Sequence, residues 1–132
     1  MRQPYYYFLN RNKNGDGFLE LLNGEIFVDK TGLIEVINSK ISTKEKWICV
    51  SRPRRFGKTM ALEMLAAYYT RGIHTENLFQ GLKAMEGRTF YKHLNAHNVI
   101  YVNFNDYFGK DQSASQGIAA FSAHMIKDLN HA

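Results

Sequence analysis

Ser51-Arg52-Pro53-Arg54-Arg55-Phe56-Gly57-Lys58-Thr59 is the segment whose residue types and spacing could do chemistry. It lies between a continuous apolar run, Trp47-Ile48-Cys49-Val50, and a segment with helical spacing. That is the setting a phosphate-binding loop requires. Free N–H groups at a helix start, with the positive end of its dipole, favour a phosphate. There the Lys58 ammonium would meet the outer phosphates and the Thr59 hydroxyl would ligate Mg²⁺. Gly57 would let the backbone approach where a Cβ would intrude. The loop departs from the full pattern, since Arg52 stands where a glycine is expected and Pro53 has no N–H. From spacing alone, two readings stay open: a phosphate cradle, or a strand-to-helix turn with a solvated basic cluster.

Several weaker constellations have plainer explanations. Arg52, Arg54 and Arg55 could grip phosphates by bidentate contacts or pair with acidic neighbours. Asp29 suits a helix cap. Asn12, Asn14, Asp16 and Gly17 imitate the start of a Ca²⁺ loop, but Asn23 stands at the place of the closing glutamate, so a turn is expected. His93 and His97 stand four apart with no third ligand, as surface histidines would. Cys49, mid-run between Ile48 and Val50, reads as a buried thiol.

The elements that must position the loop follow from periodicity. Residues 1–17 read as a flexible arm or hairpin, and residues 18–132 as one domain. Phe18, Leu19, Leu21 and Leu22 suit a short helix that stops at Asn23-Gly24. Glu25-Ile26-Phe27-Val28 suits a short strand, and Asp29 precedes a helix over 30–38. The apolar runs 47–50 and 99–102 suit strands buried on both faces. A helix is expected from Lys58 to Arg71, with Leu62, Leu65 and Tyr69 on one face. Tyr68 and Tyr69 are expected in the core or at its rim. Leu78, Phe79 and Leu82 suit a helical turn, and Ile118, Phe121, Met125 and Leu129 mark a last helix. Strands alternating with helices predict an α/β fold, a short and mainly parallel sheet flanked by helices.

Composition agrees with such a domain. The chain has 132 residues, 45% apolar and 22% charged, enough for one modest core. The net charge of +5 is a mild bias toward anionic partners. One cysteine excludes an internal disulfide and favours a reducing, cytoplasmic compartment. No stretch approaches a membrane span or a signal core.

Phe27-Val28-Asp29-Lys30-Thr31-Gly32-Leu33-Ile34 and the loop from Ser51 to Thr59 together resemble the two signatures of the bacterial and archaeal AAA-ATPase-like proteins. In that family the loop commonly reads Arg-Pro-Arg-Arg-Phe-Gly-Lys-Ser/Thr, so the missing first glycine is a family trait. The similarity continues through Leu65-Ala66-Ala67-Tyr68-Tyr69, His93-Leu94-Asn95 and Val99-Ile100-Tyr101, covering about residues 18–108. The resemblance implies a partial P-loop NTPase fold and ATP binding through an atypical Walker A loop. Arg54, Arg55, Phe56, Gly57, Lys58 and Thr59 would bind nucleotide, and Thr59 would also hold Mg²⁺.

Family members are several times longer, with an acidic Walker B strand and a restriction-endonuclease-like C-terminal domain after the region matched. Asp106 is the local candidate for the acidic residue, but Asn103 and Asn105 interrupt the apolar run before it. The chain therefore reads as the N-terminal part of an ATPase module, and hydrolysis by this chain alone is not expected. The alternative is a non-catalytic basic module for nucleic acid, built on Arg52, Arg54, Arg55 and aromatics that stack on bases. In the full-length family context nucleic acid is a further expected partner. An incomplete sheet edge would expose the chain to self-association.

Overall fold

The computed structural model describes residues 15–53, 57–104 and 113–131. They fall into two units, one within residues 12–99 and the other within residues 100–132.

In the larger unit, α1 (Asp16–Leu22) follows Gly15, whose φ of 76° turns the chain into the helix. Helix α2 (Gly32–Asn38) and α3 (Lys58–Tyr69) come next. Two 3₁₀ turns, Glu76–Phe79 and Lys83–Glu86, lead to the single-turn α4 (Phe90–His93). Helix α1 packs on α3, while α2 packs on the second 3₁₀ turn and α4. The expected start at Lys58 holds, with α3 ending at Tyr69 and the chain reversing at Gly72 (φ 88°), whereas α1 begins at Asp16, inside the expected arm, and α2 begins at Gly32 rather than at residue 30.

Aromatic residues make the core. Phe18, Tyr68, Phe79 and Phe90 are all fully buried. Their rings meet at 4.9 Å (Phe18–Phe79), 5.3 Å (Tyr68–Phe90) and 5.7 Å (Tyr68–Phe79 and Phe79–Phe90). Such offset and edge-on pairs add about 0.5–1.5 kcal/mol each beyond their buried area. Ile34, Met64, Ala67 and Ala84 fill the space between them. The inward face of α3 is thus Met64, Ala67 and Tyr68. Leu65 and Tyr69 pack at its rim, and Leu62 faces solvent, off the face its spacing suggested.

Two asparagines hold this core in register. Asn38 is buried, and its amide donates to Tyr68 Oη (3.1 Å) and Thr89 Oγ1 (3.0 Å) and accepts from Tyr69 Oη (2.6 Å). Asn95, at φ 50°, closes the end of α3. Its backbone N–H donates to Tyr68 C=O (2.7 Å), and its side-chain amide reaches the carbonyls of Ala67 and Thr70. These are the orphan acceptors of a helix terminus.

The expected parallel sheet is not there. Among the described residues there is no strand, and the one β-pairing is an isolated parallel bridge between Thr70 and His97. Residues 25–28, 47–50 and 99–102 carry strand-like patterns but no ladder. Trp47 is 85% exposed and Ile100 59% exposed, the opposite of strands buried on both faces. An apolar run states only a preference for burial. A sheet also needs a neighbouring backbone to take its N–H and C=O groups. Cys49, expected inside such a strand, is exposed with it.

The smaller unit contains α5 (Ala114–His131). Its buried positions are Gly117 and Asp128, with half-buried Phe121, His124 and Met125 on the same stripe. The Phe121 ring lies 5.8 Å from that of Phe104. Ile118 and Leu129, expected on that face, are more than half exposed. No helix among the described residues is long and apolar enough to cross a membrane. The expected arm falls mostly on residues 1–14, outside the described residues.

Candidate functional site

Helix α3 begins at Gly57, whose φ of 78° lies in the left-handed region that glycine enters without strain. The first intrahelical bond runs from Ala61 N–H to Gly57 C=O at 3.0 Å. The N–H groups of Lys58, Thr59 and Met60 therefore have no intrahelical acceptor. No N-cap side chain covers them. The Lys58 ammonium donates to the Arg52 carbonyl at 2.7 Å. An ammonium has three donors, so this bond leaves two for a ligand. Thr59 lies exposed in the same first turn.

The structure thus brings Gly57, Lys58 and Thr59 together at one helix start. Arg54, Arg55 and Phe56 lie outside the described residues, as does Asp106.

A fourth residue reaches this point. A Cβ built on Gly57 would lie 3.1 Å from Lys30 Nζ. The Asp29-Lys30-Thr31 segment that delivers this ammonium is anchored on both sides. Asp29 Oδ1 accepts from Thr31 N–H (2.9 Å) and Thr31 Oγ1 (2.6 Å), and Asp29 Oδ2 accepts from Lys83 N–H (2.9 Å). Thr31 is fully buried, and its hydroxyl accepts from Ala84 N–H at 3.0 Å. Burial pushes the Asp29 carboxyl up. The hydrogen bonds from Thr31 and Lys83, with the Lys83 charge, outweigh this and hold it below its ordinary 3.8. Asp29 is therefore a brace at the entrance to α2, where Thr31 is the N-cap, rather than the cap itself. Sequence reasoning did not place Lys30 at the loop; the signal was its position between these two short polar anchors.

Beside the loop a cavity of about 340 Å³ opens between α1, α3 and residues 26–30. Phe18, Leu21, Phe27, Met60, Ala61 and Met64 line it, together with Lys30 and Gly57.

The other candidates resolve into structural roles. Asp16 and Gly17 are part of α1 and Asn23 ends it, so the described part of the Ca²⁺-loop-like stretch is helix rather than the expected turn; Asn12 and Asn14 lie outside the described residues. His93 Nδ1 lies 2.9 Å from His97 Nε2 with the rings stacked at 5.2 Å. His93 is buried rather than superficial. Burial, the neighbouring His97 and Lys92 all lower its pKa below the ordinary 6.5. No cluster of three or more metal-ligating side chains exists among the described residues.

A family model described as Predicted AAA-ATPase (AAA-ATPase-like) matches residues 16–130. The chain belongs to this AAA-ATPase-like family. No curated protein and no solved structure matches it. Within the AAA-ATPase-like match fall α1, the Asp29-Lys30-Thr31 brace, the Gly57–Thr59 helix start and nearly all of α5.

Proposed function

We propose that this chain binds a nucleoside triphosphate, ATP in the family context, with its phosphates at the start of α3. The observation that carries the reading is Gly57 at φ 78° opening a twelve-residue helix whose next two residues are Lys58 and Thr59. A Cβ at position 57 would enter the space beside Lys30 Nζ, so the cradle suits a residue without one. The uncapped N–H groups of the first turn and the helix dipole attract an anion. Lys58 neutralises the outer phosphates while keeping its bond to Arg52 C=O. The proposed nucleotide contacts extend to Arg54, Arg55 and Phe56, which precede Gly57 in the sequence.

The donor set also fits Mg²⁺, which would be held by the Thr59 hydroxyl and the phosphates themselves. The metal supplies charge neutralisation on the bound triphosphate. Thr59 orients it, and Lys58 holds the phosphate chain against the helix start. This reading is one of binding; the residues named here supply no acidic group to complete hydrolysis.

Titration with labelled ATP, with and without Mg²⁺, tests it. Micromolar binding that the Lys58→Ala variant loses, with an unchanged circular dichroism spectrum, supports the cradle. Equal affinity in Lys58→Ala overturns it.

A further inference from the structure

We infer that His93 and His97 form an acid-released latch, which holds residues 93–97 on the end of α3 and frees them when both rings are charged. The inference does not depend on the phosphate reading above. Residues 93–97 close the last turn of α3 from outside. The backbone N–H groups of Asn95 and His97 donate to the carbonyls of Tyr68 (2.7 Å) and Tyr69 (2.9 Å). In return Arg71 donates through its backbone N–H to His97 C=O and through its guanidinium to Ala96 C=O, both at 2.8 Å. Asn95 sits at φ 50°, a left-handed conformation that a residue with a Cβ keeps only where its surroundings hold it.

The two histidines close the base of this turn. Their Nδ1–Nε2 contact of 2.9 Å needs one nitrogen to donate and the other to accept, so at least one ring is neutral. A second proton leaves two donors facing each other and two positive charges on rings stacked at 5.2 Å. The neighbouring elements do little to offset them. Lys92 on α4 and Arg71 after α3 add positive charge. On α3, burial raises the pKa of the Tyr68 and Tyr69 phenols and keeps them neutral. The opposing carboxylate is Glu35 of α2, which accepts from the Thr89 hydroxyl at 2.6 Å. A histidine free in water charges near its ordinary value of about 6.5. Acid therefore favours the released turn, by about tenfold per pH unit for each extra proton that release takes up.

Amide hydrogen exchange on the full chain, read by NMR and corrected for intrinsic rates, tests the latch between about pH 7.5 and about pH 5. The Asn95 and His97 N–H groups are the reporters, and the Ala84 N–H, which donates to the buried Thr31 hydroxyl, is the reference. At the lower pH both reporters should exchange at least about tenfold faster than at the higher one, and faster than Ala84. Sub-denaturing urea should leave their rates unchanged, because a small local opening exposes little surface. The His97→Gln variant, which can hydrogen-bond without titrating, should hold reporter exchange within about twofold across the range. Reporters that match Ala84 and accelerate with urea overturn the latch, since exchange then runs through global unfolding. So does an acid loss that persists in full in His97→Gln. If that variant fails to fold, the pH and urea dependence of the wild type decides the matter alone.

Discussion

The carboxylate of Asp29 accepts a hydrogen bond from the backbone N–H of Lys83 at 2.9 Å, across 54 residues of chain. With Thr31 holding the other carboxylate oxygen and Ala84, it pins the segment that carries Lys30 to the second 3₁₀ turn. The polar residues of this signature therefore act first as a brace, and the residue between them is the one aimed at the loop glycine.

Removing the brace leaves the Lys83 N–H and the Thr31 hydroxyl without their acceptor. Asp29→Ala is expected to lower stability by about 1–3 kcal/mol, the usual cost of stranding such partners. At roughly 4–8 °C per kcal/mol for a domain this size, a thermal melt at neutral pH reads it directly. An unchanged melting temperature contradicts the brace.

Acid should weaken the same brace. A carboxyl titrating below its ordinary 3.8 contributes stability that is fully present above that value and is lost as pH falls through its lower, folded value. The drop in melting temperature below about pH 4 should therefore be shallower in Asp29→Asn than in the wild type. Parallel curves would remove Asp29 from the account.

The His93–His97 pair acts in a higher window. Contact between Nδ1 and Nε2 at 2.9 Å needs one ring nitrogen to accept, which two imidazolium rings cannot do. Because burial and the positive neighbours lower the His93 pKa below 6.5, its contribution is complete above that pH and declines as the pH falls further. Melting temperature should begin to fall as the pH drops below about 6.5, before any carboxylate contribution is lost. The His93→Gln variant should flatten that part of the curve.

Gly57 is held at φ 78°, where a side chain costs about 1–2 kcal/mol. Gly57→Ala is expected to melt lower by that amount and to bind ATP at least tenfold more weakly, since the new methyl also enters the space beside Lys30 Nζ. Retention of full ATP affinity would show that the ligand does not approach this glycine.

Cys49 gives a direct check on the missing sheet. A thiol buried mid-strand reacts with Ellman's reagent only after unfolding, whereas the exposed Cys49 should react completely in native buffer. Protection of the native thiol would restore the strand that its apolar neighbours suggest.

Much of the helical part was legible in the chain. The helix start at Gly57 and the turn at Gly72 are local events, decided by which residue tolerates a positive φ, whereas in the sequence the start at Gly15 reads as part of a turn-rich arm. The Gly57-Lys58-Thr59 spacing and the two family signatures were likewise readable without coordinates, because each depends on adjacent residues. The roles of Asn38 and Asn95 were not. Each is an ordinary surface-type residue until Tyr68, Tyr69 and the end of α3 come within reach, 27–31 positions away.

The sequence by itself determined where α3 begins, which loop carries the lysine and threonine, and which family the chain belongs to. These follow from short-range sterics and from motifs of contiguous residues. Only the tertiary structure decided that the strand-like runs 25–28, 47–50 and 99–102 form no ladder among the described residues, and that Lys30 meets Gly57 beside an apolar cavity. Pairing and cavity formation depend on which distant backbones and side chains arrive at one place. Residue type and spacing along a single strand of sequence carry a preference for burial, but not the identity of the neighbour that supplies it.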